Sequence, residues 1–338
     1  MTEVRGGSRW SLALLYSRTT TRWVTPTGYA ERVIDLHTHS SFSDGSDSPT
    51  DLAEKAHRLG ISAISLTDHD TTASHDEMQA ACDERGLELV PGIELSLVDD
   101  HYPRVKGTET SPRSIHVLAY YLPLDAESPV QQKIRSFRDD RISRNTQLLA
   151  LLNEQGFEKI TWDYVRGLAK ADDSIGRPHF AQAMFDLHPE IVGEKNDQSW
   201  NALFVEWLGN NGKAYIPRDT MSVGDFVEVA KGSGTVFSVA HPLVNYLDNT
   251  TPESIQSKIP SILGSLKERG VAGVEAYYGG TNQETRSLMI KLTRDAGMIP
   301  TGGSDYHGSY KEDVKLGFGK SGDLRVPDEV LERIKAAR

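Results

Sequence analysis

A single cysteine, Cys82, stands in a chain of 338 residues. It excludes internal disulfides and every multi-cysteine zinc pattern, so any metal must be held by His, Asp or Glu. Basic charge is also short: 37 Lys and Arg face 48 Asp and Glu, for a formal net charge of −11. That balance argues against a broad electropositive face for duplex DNA, but not against a small anionic substrate met by a locally positive pocket. No window reaches the roughly 18 apolar residues of a membrane span, so no membrane association is expected. Trp10 to Tyr16 (WSLALLY) follows Arg5 and Arg9 somewhat as in a signal peptide. The apolar run is very short, Arg18 and Arg22 come next, and no small-residue cleavage site follows. Residues 1–30 therefore read as a flexible extension, and the chain as cytoplasmic.

What the chain does have is a regular alternation from Val33 onward. Val33 to Leu36 reads as a strand, Ser48-Pro49 caps a helix that stops at Gly60, and Ile61 to Leu66 is the next strand. Ser74 and Glu77 form a capping box for a helix running to Arg85, and Leu87 to Leu95 is the third strand. Ser114 to Tyr121 follows through a polar loop, 99–113, too short for a crossover helix, which predicts an antiparallel pair. Helical periodicity then fills 128–155, 161–170, 178–187 and 198–209 without strands between. Strands resume at Thr235 to Ala240, Val271 to Tyr278 and Met298 to Thr301, with helices around 253–268 and 282–296. The expected class is α/β, layered or barrel, with residues 31–125 and 225–338 in one unit and 126–224 an all-helical insertion covering the substrate.

Polar clusters sit at the ends of the predicted strands. His37-Thr38-His39 and Asp44 follow the first, and Asp68-His69-Asp70 the second; Glu94 and His116 lie on the next two; His241 and Asp305-Tyr306-His307 end later ones. Six of the 11 histidines are thus where parallel α/β folds place their active sites. Residues i and i+2 of a strand share a side, so His37 with His39, and Asp305 with His307, can each serve one ion. Any one of these histidines alone would more often be a satisfied core or surface residue. Six histidines with three carboxylates in equivalent positions point instead to a metal centre. His37, His39, Asp44, His69, Glu94, His116, His241, Asp305 and His307 are too many ligands for one ion, and two to three divalent ions fit, with Glu94 bridging. Imidazole and carboxylate without thiolate suit Mn, Fe or Zn. The concentrated positive charge would attract a phosphate dianion.

The runs DLHTHSSFSDG (35–45), TDHD (67–70), PGIELS (91–96), IHVLAYY (115–121), AHP (240–242) and GGSDYH (302–307) resemble the polymerase-and-histidinol-phosphatase (PHP) family of metal-dependent phosphoesterases. The resemblance implies a distorted (β/α)7 barrel with three metals at the strand ends. It assigns His37, His39, Glu94 and Asp305 to one metal, Glu94, His116 and His241 to a second, and Asp44, His69 and His307 to the third. Many members carry histidine where this chain has Asp44, an equally competent ligand. The helical insertion and Gly176-Arg177-Pro178-His179 look most like the small stand-alone members, which dephosphorylate nucleoside 3′,5′-bisphosphates or trim short RNA from its 5′ end. Pro178 can open a helix, which would put Arg177 and His179 at an anion-binding N-terminus; the plainer reading pairs Arg177 with Asp172 or Asp173.

Arg135, Arg138, Arg141 and Arg144 recur every three residues on one predicted helix, interleaved with Asp139 and Asp140, and read first as a solvated face; Arg141 is the candidate there for a phosphate contact. His57, His75, His101 and His188 read as structural or surface residues. Trp162, Trp200 and Trp207 read as core, although one could cover an adenine. A hydroxide held between two ions would attack the phosphorus. Asp305 and His307 would act beside it, and Asp70 is the candidate acid for the leaving group. The expected reaction is removal of the 3′-phosphate from a nucleoside 3′,5′-bisphosphate. The alternatives are a 5′→3′ exoribonuclease acting on short 5′-phosphorylated RNA, a histidinol phosphate phosphatase, and a non-catalytic, metal-dependent nucleic-acid-binding module.

Overall fold

A computed structural model describes residues 33–106, 109–169, 175–209, 212–217 and 221–338. The expected N-terminal extension and the proposed partners of Arg177, Asp172 and Asp173, lie outside them. The first half contains β1 (Val33–Thr38), α1 (Pro49–Arg58), β2 (Ile61–Leu66), α2 (His75–Arg85), β3 (Glu88–Leu89), β4 (Gly92–Lys106) and β5 (Glu109–Tyr120). Helices follow: α3 (Pro129–Glu154), α4 (Trp162–Leu168), α5 (Arg177–Leu187), α6 (Pro189–Val192), α7 (Asp197–Leu203), a π-helical turn at Phe204–Leu208, and α8 (Val223–Val229). The chain ends with β6 (Val236–Val239), α9 (Pro242–Tyr246), α10 (Pro252–Glu268), β7 (Gly273–Tyr278), α11 (Gln283–Asp295), β8 (Ile299–Gly303) and α12 (Asp328–Ala336).

Caps explain several boundaries. The Ser48 side chain accepts from Asp51 N–H with Pro49 next in line, and Gly86 ends α2 in the left-handed region. The Ser74–Glu77 capping box does not form. Ser74 donates instead to buried Asp68 at 2.6 Å, while Glu77 accepts from Thr50. The polar loop expected at 99–113 is largely strand, because β4 and β5 continue as a long antiparallel hairpin. The third strand is split at Val90-Pro91 into β3 and β4.

The strands form two sheets. β1-β2-β3 is parallel; in β4-β5-β6-β7-β8 the first two pairings are antiparallel and the last two parallel. Neither ladder closes into the barrel that the resemblance implies. The sheets meet through short links at the ends bearing the polar clusters. Asp305 N–H donates to His37 O and His39 N–H to Tyr306 O on one side; on the other, Asp70 N–H donates to Glu94 O. Gly303 allows the first approach, since a Cβ there would lie 2.4 Å from the Cβ of His37.

The helical region has a core of its own, including Leu152, Phe157, Phe180, Met184 and Trp207. Helix α3 spans both cores. Val130, Ile134 and Phe137 pack with the larger sheet, whereas Leu148 and Leu152 pack with the helices. Arg141 lies between those two halves. Helix α8 joins the sheet core through Val223 and Phe226, so the helical core ends before it. No described helix is long and apolar enough to cross a membrane.

Candidate metal centre

All nine predicted ligands converge at the strand ends. Glu94 is at the middle: its Oε2 lies 3.3 Å from His37 Nε2, 3.1 Å from His39 Nε2 and 3.2 Å from His69 Nδ1. Its Oε1 lies 3.0 Å from both His116 Nδ1 and His241 Nε2. One carboxylate thus faces five imidazoles, the arrangement expected of a bridging ligand. Asp305 Oδ1 stands 3.6 Å from His37 and 3.5 Å from His39. Asp44, half-exposed, meets His39, His69 and His307 at 3.3–3.5 Å. Three groups have donor atoms spaced for a metal: His37, His39 and Asp305; His39, Asp44, His69 and His307; and His69, Glu94 and His116. They overlap the implied partition: His69 groups with Glu94 and His116, and His241 Nε2 meets the same Glu94 oxygen as His116.

The donor set fits divalent ions. His37 Nε2, His39 Nε2 and His69 Nδ1 are buried without a hydrogen-bond partner, which is costly unless a cation takes their lone pairs. His307 Nδ1 lies 2.8 Å from the Asp305 carbonyl, which leaves Nε2 to face Asp44. Without metal, protons and carboxylates balance one another. Burial disfavours charge on His37, but Glu275, Glu94 and Asp305 outweigh it and raise its pKa well above the usual range. On Glu94 the same burial opposes ionisation, and His69, His116 and His37 overcome it, holding its pKa well below the usual range. Burial, helped by His39 and His116 and opposed by Glu94 and Asp44, carries His69 the other way, down to about 4.

The backbone is strained here. Among the described residues, four non-glycines have positive φ, and three of them, Asp70, His241 and Asp305, belong to this site. Two buried acids that ligate nothing shape the loops. Asp68 accepts from Ser40 N–H and from the hydroxyls of Ser40, Ser43 and Ser74. Asp35 accepts from Ser304 N–H and hydroxyl and from Gly317 N–H.

Asp70 has both oxygens engaged, by Ser96 N–H and hydroxyl and by Arg141. Asp70, expected as the leaving-group acid, thus also holds Arg141 in place. The arginine ladder is not simply solvated. Arg141 and Arg144 line a cavity of about 830 Å³ that opens from Asp44, His69 and His116 and continues to Arg177, His179, Lys195 and Trp200. His179 Nδ1 accepts from Gly176 N–H at 3.1 Å, and Arg177 donates to Leu208 O at 3.1 Å. Trp207 packs on Phe157 in the helical core. His75 and His188 are buried and hydrogen-bonded, as structural residues are.

Sequence reasoning missed Glu275, Tyr278 and Lys311. Glu275 interrupts the apolar run GVEAYY, a signal that was there to be read. Tyr278 and Lys311 both donate to Asp305 Oδ2, at 3.1 and 2.9 Å.

A family model for the PHP domain matches residues 35–198. The chain carries a PHP domain. Three of the predicted ligands, His241, Asp305 and His307, lie beyond that match and join it through the fold. Curated relatives include a 5′-3′ exoribonuclease of Haemophilus influenzae, 27% identical over 81% of this chain and 89% of that protein. A phosphoribosyl 1,2-cyclic phosphate 1,2-diphosphodiesterase of Eggerthella lenta is 26% identical over 84% and 97%. A 3′,5′-nucleoside bisphosphate phosphatase of Chromobacterium violaceum is 26% identical over 81% and 87%. A solved structure from Bifidobacterium adolescentis, described as a metal-dependent phosphoesterase, superposes with a TM-score of 0.68 at 28% identity, covering 90% of this chain and 96% of that one. This PHP-domain protein is therefore a metal-dependent hydrolase of phosphoric esters, which sets aside a purely non-catalytic role.

Proposed function

We propose that the protein removes the 3′-phosphate of nucleoside 3′,5′-bisphosphates. The observation that carries this reading is the cavity. It joins the ligand cluster to Arg141, Arg144 and Arg177, and its volume of about 830 Å³ suits a nucleotide. A phosphate at the cluster leaves the arginines for a second phosphate on the same molecule. Trp200 and exposed Tyr310, also on the cavity wall, offer flat faces to a base. Residues 126–224 act in this reading as the cap that supplies the arginines.

The nine ligands would hold two or three ions, Mn, Fe or Zn, which supply Lewis acidity and activate water when bound. The chain's own groups do the rest. Asp70 aims Arg141 into the cavity, and Arg177 sits at the start of α5, where N–H groups favour an anion. His179, with Nδ1 occupied by Gly176 N–H, presents Nε2–H in its neutral form. Tyr278 and Lys311 hold Asp305.

The test is phosphate release by the Mn²⁺-supplemented protein from adenosine 3′,5′-bisphosphate, compared with a simple aryl phosphate, histidinol phosphate and short 5′-phosphorylated RNA. Preferred release from the bisphosphate supports the reading. Release no faster than from the aryl phosphate overturns the substrate, and stepwise shortening of RNA at higher efficiency would favour the exoribonuclease.

A further inference from the structure

Glu275 lies on β7, outside the nine ligands, and is 1% exposed. A carboxylate so deeply buried needs partners for both oxygens. It has them in two of the ligands. Its Oε1 is 2.8 Å from His37 Nδ1, and its Oε2 accepts the backbone N–H of His241 at 2.7 Å. We propose that Glu275 is a positioning residue that makes His37 and His241 competent to bind metal, by fixing the ring proton of one and the backbone of the other.

For His37 the argument is tautomeric. To bind a metal the ring must be neutral and carry one N–H, and because a carboxylate can only accept, the proton it keeps is the one on Nδ1. Nε2 then keeps its lone pair. That nitrogen is the one buried without a hydrogen-bond partner and facing Glu94 and Asp305. For His241 the argument is conformational. Its φ is +27°, sparsely populated by any residue with a Cβ, and Pro242 follows it. The Glu275 contact ties down the N–H of that strained residue, and its ring reaches Glu94 from the opposite oxygen to His37. One side chain therefore aligns two ligands that lie 204 residues apart in sequence, 241 − 37. An acid serving only to fill the core would have no reason to direct each oxygen to a candidate ligand.

Glu275→Gln tests this almost isosterically. An amide has one acceptor and one donor end, so it cannot accept from both partners. Facing His37 with its NH₂, it drives the ring proton onto Nε2; turned around, it sets its NH₂ against the His241 N–H. Equilibrium dialysis against Zn²⁺ or Mn²⁺, followed by elemental analysis, should show fewer ions per chain than wild type, or affinity weaker by about 10- to 100-fold. The melting curve of the metal-free variant checks folding. If the variant does not fold, long-range ¹H–¹⁵N spectra of the Zn²⁺-loaded wild type decide instead: a proton on His37 Nδ1 supports the proposal, and a proton on Nε2 overturns it. Unchanged ion number and affinity in a folded variant also overturns it. The proposal rests on the metal-centre reading but not on the substrate. Wild type binding no ions would remove its foundation, whereas a wrong substrate would leave every one of these readouts intact.

Discussion

Arg141 reaches from the middle of α3 to pair with buried Asp70, whose carboxylate also accepts from the N–H and hydroxyl of Ser96 at 2.7 and 2.9 Å. The pair joins the helical region to the loop that carries His69. It explains how an arginine on a long helix is held over the metal centre, since the planar guanidinium can meet a carboxylate on one edge and an anion on another.

Arg141→Ala is therefore expected to raise KM for a phosphorylated substrate by about tenfold or more, about 1.4 kcal/mol, while leaving ion content unchanged. It also leaves Asp70 buried with one partner fewer, so a lower melting temperature should accompany it. Asp70→Asn should show part of the KM effect, because Arg141 persists but is less well aimed. Steady-state kinetics with elemental analysis checks both; unchanged KM in Arg141→Ala would remove its role in binding.

The ligand reading makes a sharper demand. Asp305 contacts His37 and His39 through Oδ1 and receives Tyr278 and Lys311 at Oδ2. Asp305→Asn should lower the number of ions bound and reduce kcat/KM by at least about a hundredfold, about 2.7 kcal/mol. Chelation of the wild type should abolish activity, and Mn²⁺ should restore it. A variant retaining full activity and ion content would contradict the assignment.

Metal-free protein should be most stable near neutral pH. Burial opposes charge on His39, but Asp305, Glu94 and Asp44 overcome it and raise its pKa from 6.5 to about 9. A raised pKa contributes stability that is complete below the unfolded value and is lost as pH rises through the folded one. His69 has the opposite sign: held neutral by burial with a pKa of about 4, it costs stability as pH falls from 6.5 toward 4. Melting temperatures with and without chelator, measured from about pH 5 to about pH 9.5, check this. Ions must displace the His39 proton, so Mn²⁺ affinity should rise by up to about tenfold per pH unit on approaching pH 9.

Gly303→Ala tests the junction between the sheets. The added methyl would collide with His37 backbone and Cβ, at 2.4 Å, where no flexible side-chain end can yield. Destabilisation of about 1–3 kcal/mol is expected, with loss of bound metal, because β1 and β8 and the turns that follow carry five of the nine candidate ligands, His37, His39, Asp44, Asp305 and His307. Calorimetry beside elemental analysis would show whether the two losses coincide.

The amino-acid sequence alone determined the chemistry of the site. With thiolate excluded, the recurrence of His, Asp and Glu at strand ends named nine candidate ligands that the fold brings together, because strand periodicity and burial leave polar residues few other reasons to be there. Most element boundaries were also local matters, written in Ser-Pro starts and Gly stops. The tertiary structure decided what depends on distant neighbours. Asp70 holds Arg141 because α3 crosses from one core to the other, and no local pattern encodes that crossing. Glu275 acquires its two partners only where β7 pairs with β6 and its side chain reaches across to His37 on β1. The sheets meet as two ladders with short links because pairing across the junction rests on a few hydrogen bonds at strained residues. Spacing reports what one element can present, and packing decides which elements meet and what each buried charge must satisfy.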